Sequence, residues 1–78
     1  MNLSETTIKN KVVSICQYYA DDVTIERTDV TLEDYDLSYA VADIIDEIND
    51  EFGTYLTIDD IDYDTTIDEI IAELVQLQ

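Results

Sequence analysis

Apolar residues recur along the chain in three stretches with the three-and-four spacing of a buried helical face, and polar residues fill the positions between them. The first stretch takes in Ile8, Val12, Ile15, Cys16 and Tyr19, with Lys9, Asn10, Ser14 and Gln17 off the stripe. Ser4 stands where an N-cap belongs, Leu3 before it is placed to staple against Ile8, and the pattern predicts an end near Ala20. The second stretch carries Val41, Ile44, Ile45, Ile48 and Phe52. It predicts a helix from Asp36 or Ser38 to about Phe52, closed by Gly53 in a left-handed cap. The third carries Ile67, Ile70, Ile71, Leu74 and Val75 behind Thr66 and Glu69, the two ends of a capping box. A weaker box, Thr57 with Asp60, predicts one short turn of helix before it, with Ile58 and Ile61 facing inward.

Residues 21–36 show no sustained period, yet Val23, Ile25, Val30, Leu32 and Tyr35 scatter apolar anchors through them. A connection of this length in a small domain is predicted to be held down by its own side chains. The alternation at Val23 to Ile25 suits a short strand, but a lone strand has no partner, so none is expected. Nothing divides the chain, and with no Pro and one Gly it holds few helix breakers. The expectation is a single all-α domain over residues 1–78. It is a four-helix bundle with three longer helices, one short one and a long loop between the first two.

Charge narrows what such a bundle can bind. Twenty acids face three basic residues, Lys9, Lys11 and Arg27, for a formal net charge of −17. No basic patch is available to neutralise a phosphate backbone, which excludes nucleic acid as a direct ligand. An anionic membrane surface repels the same field and basic patches on partner proteins attract it. Self-repulsion also favours a monomer and predicts that salt or a divalent cation stabilises the fold. No apolar run approaches the roughly 20 residues that span a bilayer. No secretory signal precedes the first amphipathic stretch, and a lone Cys16 cannot form an intrachain disulfide, so a soluble, cytoplasmic protein is expected.

With no His and one Cys, the chain lacks the usual general base and cannot build a zinc site, so catalysis by the chain alone is not expected. Asp60, Asp62, Asp64 and Asp68 alternate like calcium-loop ligands. The match fails in its details: a loop begun at Asp60 puts Thr65 at the glycine position and Ile71 at the distal glutamate, and one begun at Asp62 puts Ile67 at the turn. No metal site is expected. Cys16 reads as a small core filler, and the six tyrosines, at no common spacing, read as half-buried packing residues.

From Ser38 onward the order of residue types, Val41, Ile44, Ile45, Ile48 and then Glu51-Phe52, resembles the acyl carrier proteins without a gap. Leu56 falls where that family has an apolar residue before its short third helix, and Thr65-Thr66-Ile67 is similar to its Thr-Thr-Val entry into the last helix. Upstream, Leu32-Glu33-Asp34-Tyr35 resembles the apolar-Glu-Asp-Leu stretch that precedes the carrier serine. One motif departs: the family reads Asp-Ser-Leu, and this chain reads Asp36-Leu37-Ser38-Tyr39.

The resemblance implies a 4'-phosphopantetheine arm, transferred from coenzyme A to Ser38, that carries acyl or amino-acyl intermediates of fatty acid or polyketide type as thioesters. It implies a phosphopantetheinyl transferase and acyl- or amino-acyl-handling enzymes with basic patches as partners. Docking would fall to Asp36, Tyr39, Asp43, Asp46 and Glu47, with Asp50 continuing the ridge. From the residues alone, Ser38 is an N-cap and the ridge a solvated helix face. An unmodified acidic interaction module with a degenerate carrier motif is the alternative.

Overall fold

The computed structural model describes residues 3–78. Ser4 opens the first helix as the sequence predicts: its Oγ accepts from the Thr7 N–H at 3.1 Å, and α1 runs Glu5–Tyr19 with Ala20 as its C-cap. α2 spans Val41–Phe52 and α3 spans Ile67–Gln76. The box that starts α3 is reciprocal, Thr66 Oγ1 accepting from the Glu69 N–H at 3.0 Å and Glu69 Oε1 from the Thr66 N–H at 2.9 Å. Gly53 closes α2 at φ 65°, a left-handed conformation that glycine adopts without a Cβ penalty.

These three helices wrap one core. Ile8, Val12 and Cys16 of α1 meet Ile44, Ile45 and Ile48 of α2 and Ile67, Ile70, Ile71 and Leu74 of α3, while Ile25, Leu32, Leu37, Leu56 and Ile61 enter from the connections. α1 packs against both other helices, more extensively against α3. The radius of gyration, 11.3 Å, is close to the roughly 11.5 Å expected for a packed chain of this length. The long connection therefore lies on the core and does not extend from it. Among the described residues there is no strand. Thr31 and Thr66 form one isolated antiparallel bridge.

Side-chain hydrogen bonds explain how the loop is held. Gln17 donates through Nε2 to the carbonyls of Ala20 at 3.0 Å and Val23 at 2.7 Å, and its Oε1 accepts from the Ile25 N–H at 2.8 Å. One amide thus replaces, for three backbone groups, the partners an irregular segment lacks. Farther along, the Tyr35 hydroxyl donates to the Arg27 carbonyl and accepts from the Arg27 N–H at 3.1 Å. The loop is then tied to the entry of α3: Leu32 N–H to the Thr65 carbonyl at 3.0 Å, Glu33 N–H to Tyr63 at 2.9 Å, and Asp68 N–H to Thr28 at 2.8 Å. Asn49 does for residues 54–56 what Gln17 does for the loop, holding both the N–H and the carbonyl of Leu56 at 2.9 Å.

Four sequence expectations need correction. The fourth, short helix is not formed. Residues 58–60 are a turn in which Asp60 and Ile61 both donate to the Thr57 carbonyl, and the Asp60 carboxylate returns to the Thr57 N–H at 2.9 Å. A segment holding Asp59, Asp60, Asp62 and Asp64 cannot repay helix nucleation with so few residues of poor helix propensity. Ile61 and Leu56 are buried there, but Ile58 is 53% exposed. Val75, assigned to the stripe of α3, is 37% exposed at the last turn. Of the tyrosines, Tyr18, Tyr39, Tyr55 and Tyr63 are exposed, leaving Tyr19 and Tyr35 half-buried. The fourth correction concerns the start of α2.

Candidate functional site

α2 begins later than its apolar stripe suggests, because two single turns intervene. Glu33–Tyr35 form a 3-10 turn that ends at Asp36, the one described non-glycine residue with positive φ, at 58°. Aspartate tolerates this left-handed conformation better than most side chains. The chain reverses there, buries Leu37 completely, and enters a second 3-10 turn, Ser38–Ala40. Ala40, not Ser38, is the N-cap of α2, and it makes no side-chain cap bond. Ser38 is exposed, and among the described residues its hydroxyl has no hydrogen-bond partner. That hydroxyl is therefore not committed to capping, and covalent modification would sacrifice no cap bond.

The residues expected around Ser38 fall into two groups. Asp43 and Asp46 are exposed on α2, as is Asp50 two turns after Asp43, so an acidic ridge does run down the helix from the serine. Glu47 belongs to that ridge only in part. It is half-buried and its Oε2 accepts a short hydrogen bond from the Tyr19 hydroxyl, which fastens α2 to the end of α1. Tyr39 reaches the same junction, its hydroxyl donating to the Tyr19 carbonyl at 2.7 Å. Tyr18 meets Tyr19 edge-on, with ring centroids 5.1 Å apart. Beside the turn a shallow groove of about 190 Å³ is lined by Tyr19, Val23, Tyr35 and Tyr39 together with Asp21, Asp22 and Asp36.

No family model, curated protein or solved structure matches this chain. What Ser38 can do is therefore set by its own surroundings. Neither the Tyr39–Tyr19 bond nor the Tyr19–Glu47 bond was expected from the sequence, since tyrosine spacing carries no signal for a bond across 20 or 28 positions. Gln17, the organiser of the groove's loop wall, was also placed outside the core by the periodic pattern, and nothing in its neighbours marks it. Three acids of the alternation from Asp60 to Asp68 are engaged in hydrogen bonds, two nearby in sequence and one across 40 positions. Asp60 holds Thr57, Asp62 accepts from the Tyr63 N–H at 2.7 Å, and Asp68 accepts from the Thr28 hydroxyl at 2.6 Å. Among the described residues no three acids, cysteines or histidines converge to hold a metal ion, and no helix is long and apolar enough to cross a membrane.

The junction has a defined response to alkali. The Tyr19 hydroxyl is pushed up from 10.0 to about 12, first by its hydrogen bond to Glu47, then by desolvation and the charges of Glu47 and Asp43. Burial pushes the Cys16 thiol up from 9.0 to about 12. Both groups hold their proton more tightly when folded, so the stability they contribute is complete below pH 9.0 and is lost as pH rises toward 12. Thermal melts recorded across that window should show a falling melting temperature, and Tyr19→Phe should shallow the part above pH 10.0. A level curve for the parent protein would contradict the assignment.

Proposed function

We propose that this chain is an acyl-carrier-type protein that bears 4'-phosphopantetheine on Ser38 and delivers thioester-bound acyl or amino-acyl groups to partner enzymes. One observation carries the reading: the serine that the carrier pattern singles out is exposed, its hydroxyl without a partner among the described residues, on a turn whose neighbours Leu37 and Ala40 are fully buried. The acceptor is thus presented outward on a turn anchored from both sides. The three-helix core and the loop tied down ahead of α2 support a carrier-like bundle; the turn at residues 58–60, where the family has a short helix, departs from it.

The surroundings of Ser38 fit the group. Ser38 would hold it covalently, and the groove walled by Tyr19, Tyr35 and Tyr39 leaves open space beside the turn. In the transfer, Ser38 Oγ attacks the coenzyme A phosphorus nearest the pantetheine. The Oγ–P bond forms, the P–O bond to the adenosine bisphosphate breaks, and the serine proton passes to a base of the transferase. The group, once bound, supplies a thiol that forms thioesters with cargo. Asp43 and Asp46, exposed on α2 next to the site, offer complementary charge to basic enzyme patches. Tyr39 follows the acceptor directly, and Asp36 lies two positions before it.

Intact mass after incubation with coenzyme A, magnesium and a broad-specificity phosphopantetheinyl transferase tests the reading. The parent protein should gain one phosphopantetheine and Ser38→Ala none. If neither gains mass, also with a cognate transferase, the second reading takes over: an unmodified acidic module that binds basic proteins. The altered motif favours that alternative: relative to the family's Asp-Ser-Leu, the acid stands one place earlier, at Asp36, and Tyr39 takes the place of the leucine.

A further inference from the structure

The second 3-10 turn has few restraints of its own. Its backbone closes through the Ala40 N–H to the Leu37 carbonyl at 2.9 Å, and the helix it leads into has no side-chain cap. Leu37 and Ala40 anchor its two ends in the core, which leaves the middle, Ser38 and Tyr39, pointing outward. Burial does not fix Tyr39 there, because the side chain is 70% exposed. Its hydroxyl does, by donating to the Tyr19 carbonyl at 2.7 Å. That carbonyl lies in the last turn of α1, whose final four carbonyls lack helical partners. Ala20 N–H serves those of Cys16 and Gln17, and Tyr39 serves that of Tyr19. Tyr19 in turn is held to α2 through Glu47.

We infer that Tyr39 is a positioning residue for the acceptor serine: its hydroxyl clamps the Ser38–Ala40 turn to the C-terminal end of α1 and holds Ser38 Oγ in the orientation the transferase uses. The inference rests on the carrier reading for its consequence in phosphopantetheine transfer, but not for the clamp itself. An aromatic residue that merely added packing would be buried. An exposed tyrosine whose hydroxyl spans 20 positions of sequence is tied down through that one hydrogen bond.

Tyr39→Phe separates the possibilities, since it removes the hydroxyl and keeps the ring. Amide hydrogen exchange of the parent and the variant should show the Ala40 amide, which closes the turn, exchanging about fivefold more readily in Tyr39→Phe, the factor one neutral hydrogen bond supports. In transfer from coenzyme A, kcat for the variant as acceptor should fall by a similar factor with KM unaltered, and the melting temperature should drop by about 4–8 °C, the shift one hydrogen bond accounts for. Equal exchange at the Ala40 amide overturns the clamp, whether or not the protein is a carrier. Faster exchange with unchanged kcat overturns the positioning role and leaves the carrier reading intact. A rise in KM alone makes Tyr39 a docking contact and overturns positioning as well. Absence of transfer to the parent protein, with the exchange effect present, overturns the carrier reading and removes the role in transfer while the clamp stands.

Discussion

Leu37→Ala is expected to lower the melting temperature by roughly 10–30 °C, whereas Ser38→Ala should leave it within about 4 °C. The two residues are adjacent, yet Leu37 is fully buried in the common core and Ser38 is exposed with no partner among the described residues. Truncating a fully buried leucine costs about 2–5 kcal/mol, because the transfer energy of the lost methyl groups is joined by the cavity they leave. Leu37 has little room to be replaced by relaxation, since Leu32 and Ala40 around it are themselves fully buried. In a domain this size each kcal/mol moves the midpoint by about 4–8 °C. Leu37→Met, which conserves volume, should cost less than about 1.5 kcal/mol and serves as the control. Circular dichroism melts of the three variants decide the matter. Similar melting temperatures for Leu37→Ala and Ser38→Ala would mean that the turn is not anchored through Leu37, and Ser38 would lose its fixed outward register.

The same contrast bears on what the sequence could convey. Helix existence was legible because each apolar stripe, Ile8-Val12-Cys16, Ile44-Ile45-Ile48 and Ile67-Ile70-Leu74, obeys one period and faces one core. Ser4 and Thr66 were legible as starts because capping is a local interaction between residues three apart. The start of α2 was not. Its position is set by the left-handed Asp36 and by the burial of Leu37, which depends on where Leu32 and α1 lie and not on neighbouring residues. The site divides in the same way. Ser38 and the exposed acids Asp43 and Asp46 could be named from pattern. The bonds of Tyr19, Tyr39 and Glu47, which give the junction its shape, join residues 20 and 28 positions apart and leave no periodic trace. Gln17 and Asn49 belong to this class too, since an amide that serves three backbone groups, as Gln17 does, or two, as Asn49 does, looks in sequence like any polar helix residue. The failed short helix was a misjudged balance: a capping pair at Thr57 and Asp60 is present, but a cap cannot sustain a helix with nothing to propagate.

Sodium chloride raised from about 0.01 M to about 1 M should increase the melting temperature, because the Debye length shrinks from about 30 Å to about 3 Å and the chain carries uncompensated negative charge. That charge is −17 in total, and α2 concentrates it: Asp43 with Glu47, Asp46 with Asp50, and Glu47 with Glu51 are like-charge neighbours one turn apart. Each such pair costs about 0.2–0.5 kcal/mol, so α2 alone stands to recover on the order of 1 kcal/mol, or about 4–8 °C. Asp50 and Glu51 also sit at the negative end of the helix dipole, with no basic residue in the last turn to offset them. Screening has an opposing effect on the two ion pairs among the described residues, Lys11–Glu51 at 3.0 Å and Arg27–Asp29 at 2.8 Å. Both are exposed, and pairs of that kind contribute about 0–1 kcal/mol, too little to reverse the sign. Asp50→Lys isolates the cause: it removes the repulsion with Asp46 and Glu47 and places a cation at the C-terminal end of α2, so the variant should melt higher at low salt and respond less to added salt. If the variant and the parent keep the same salt slope, the stabilisation by salt does not arise on α2, and the acidic ridge beside Ser38 costs the fold nothing that a basic partner could relieve.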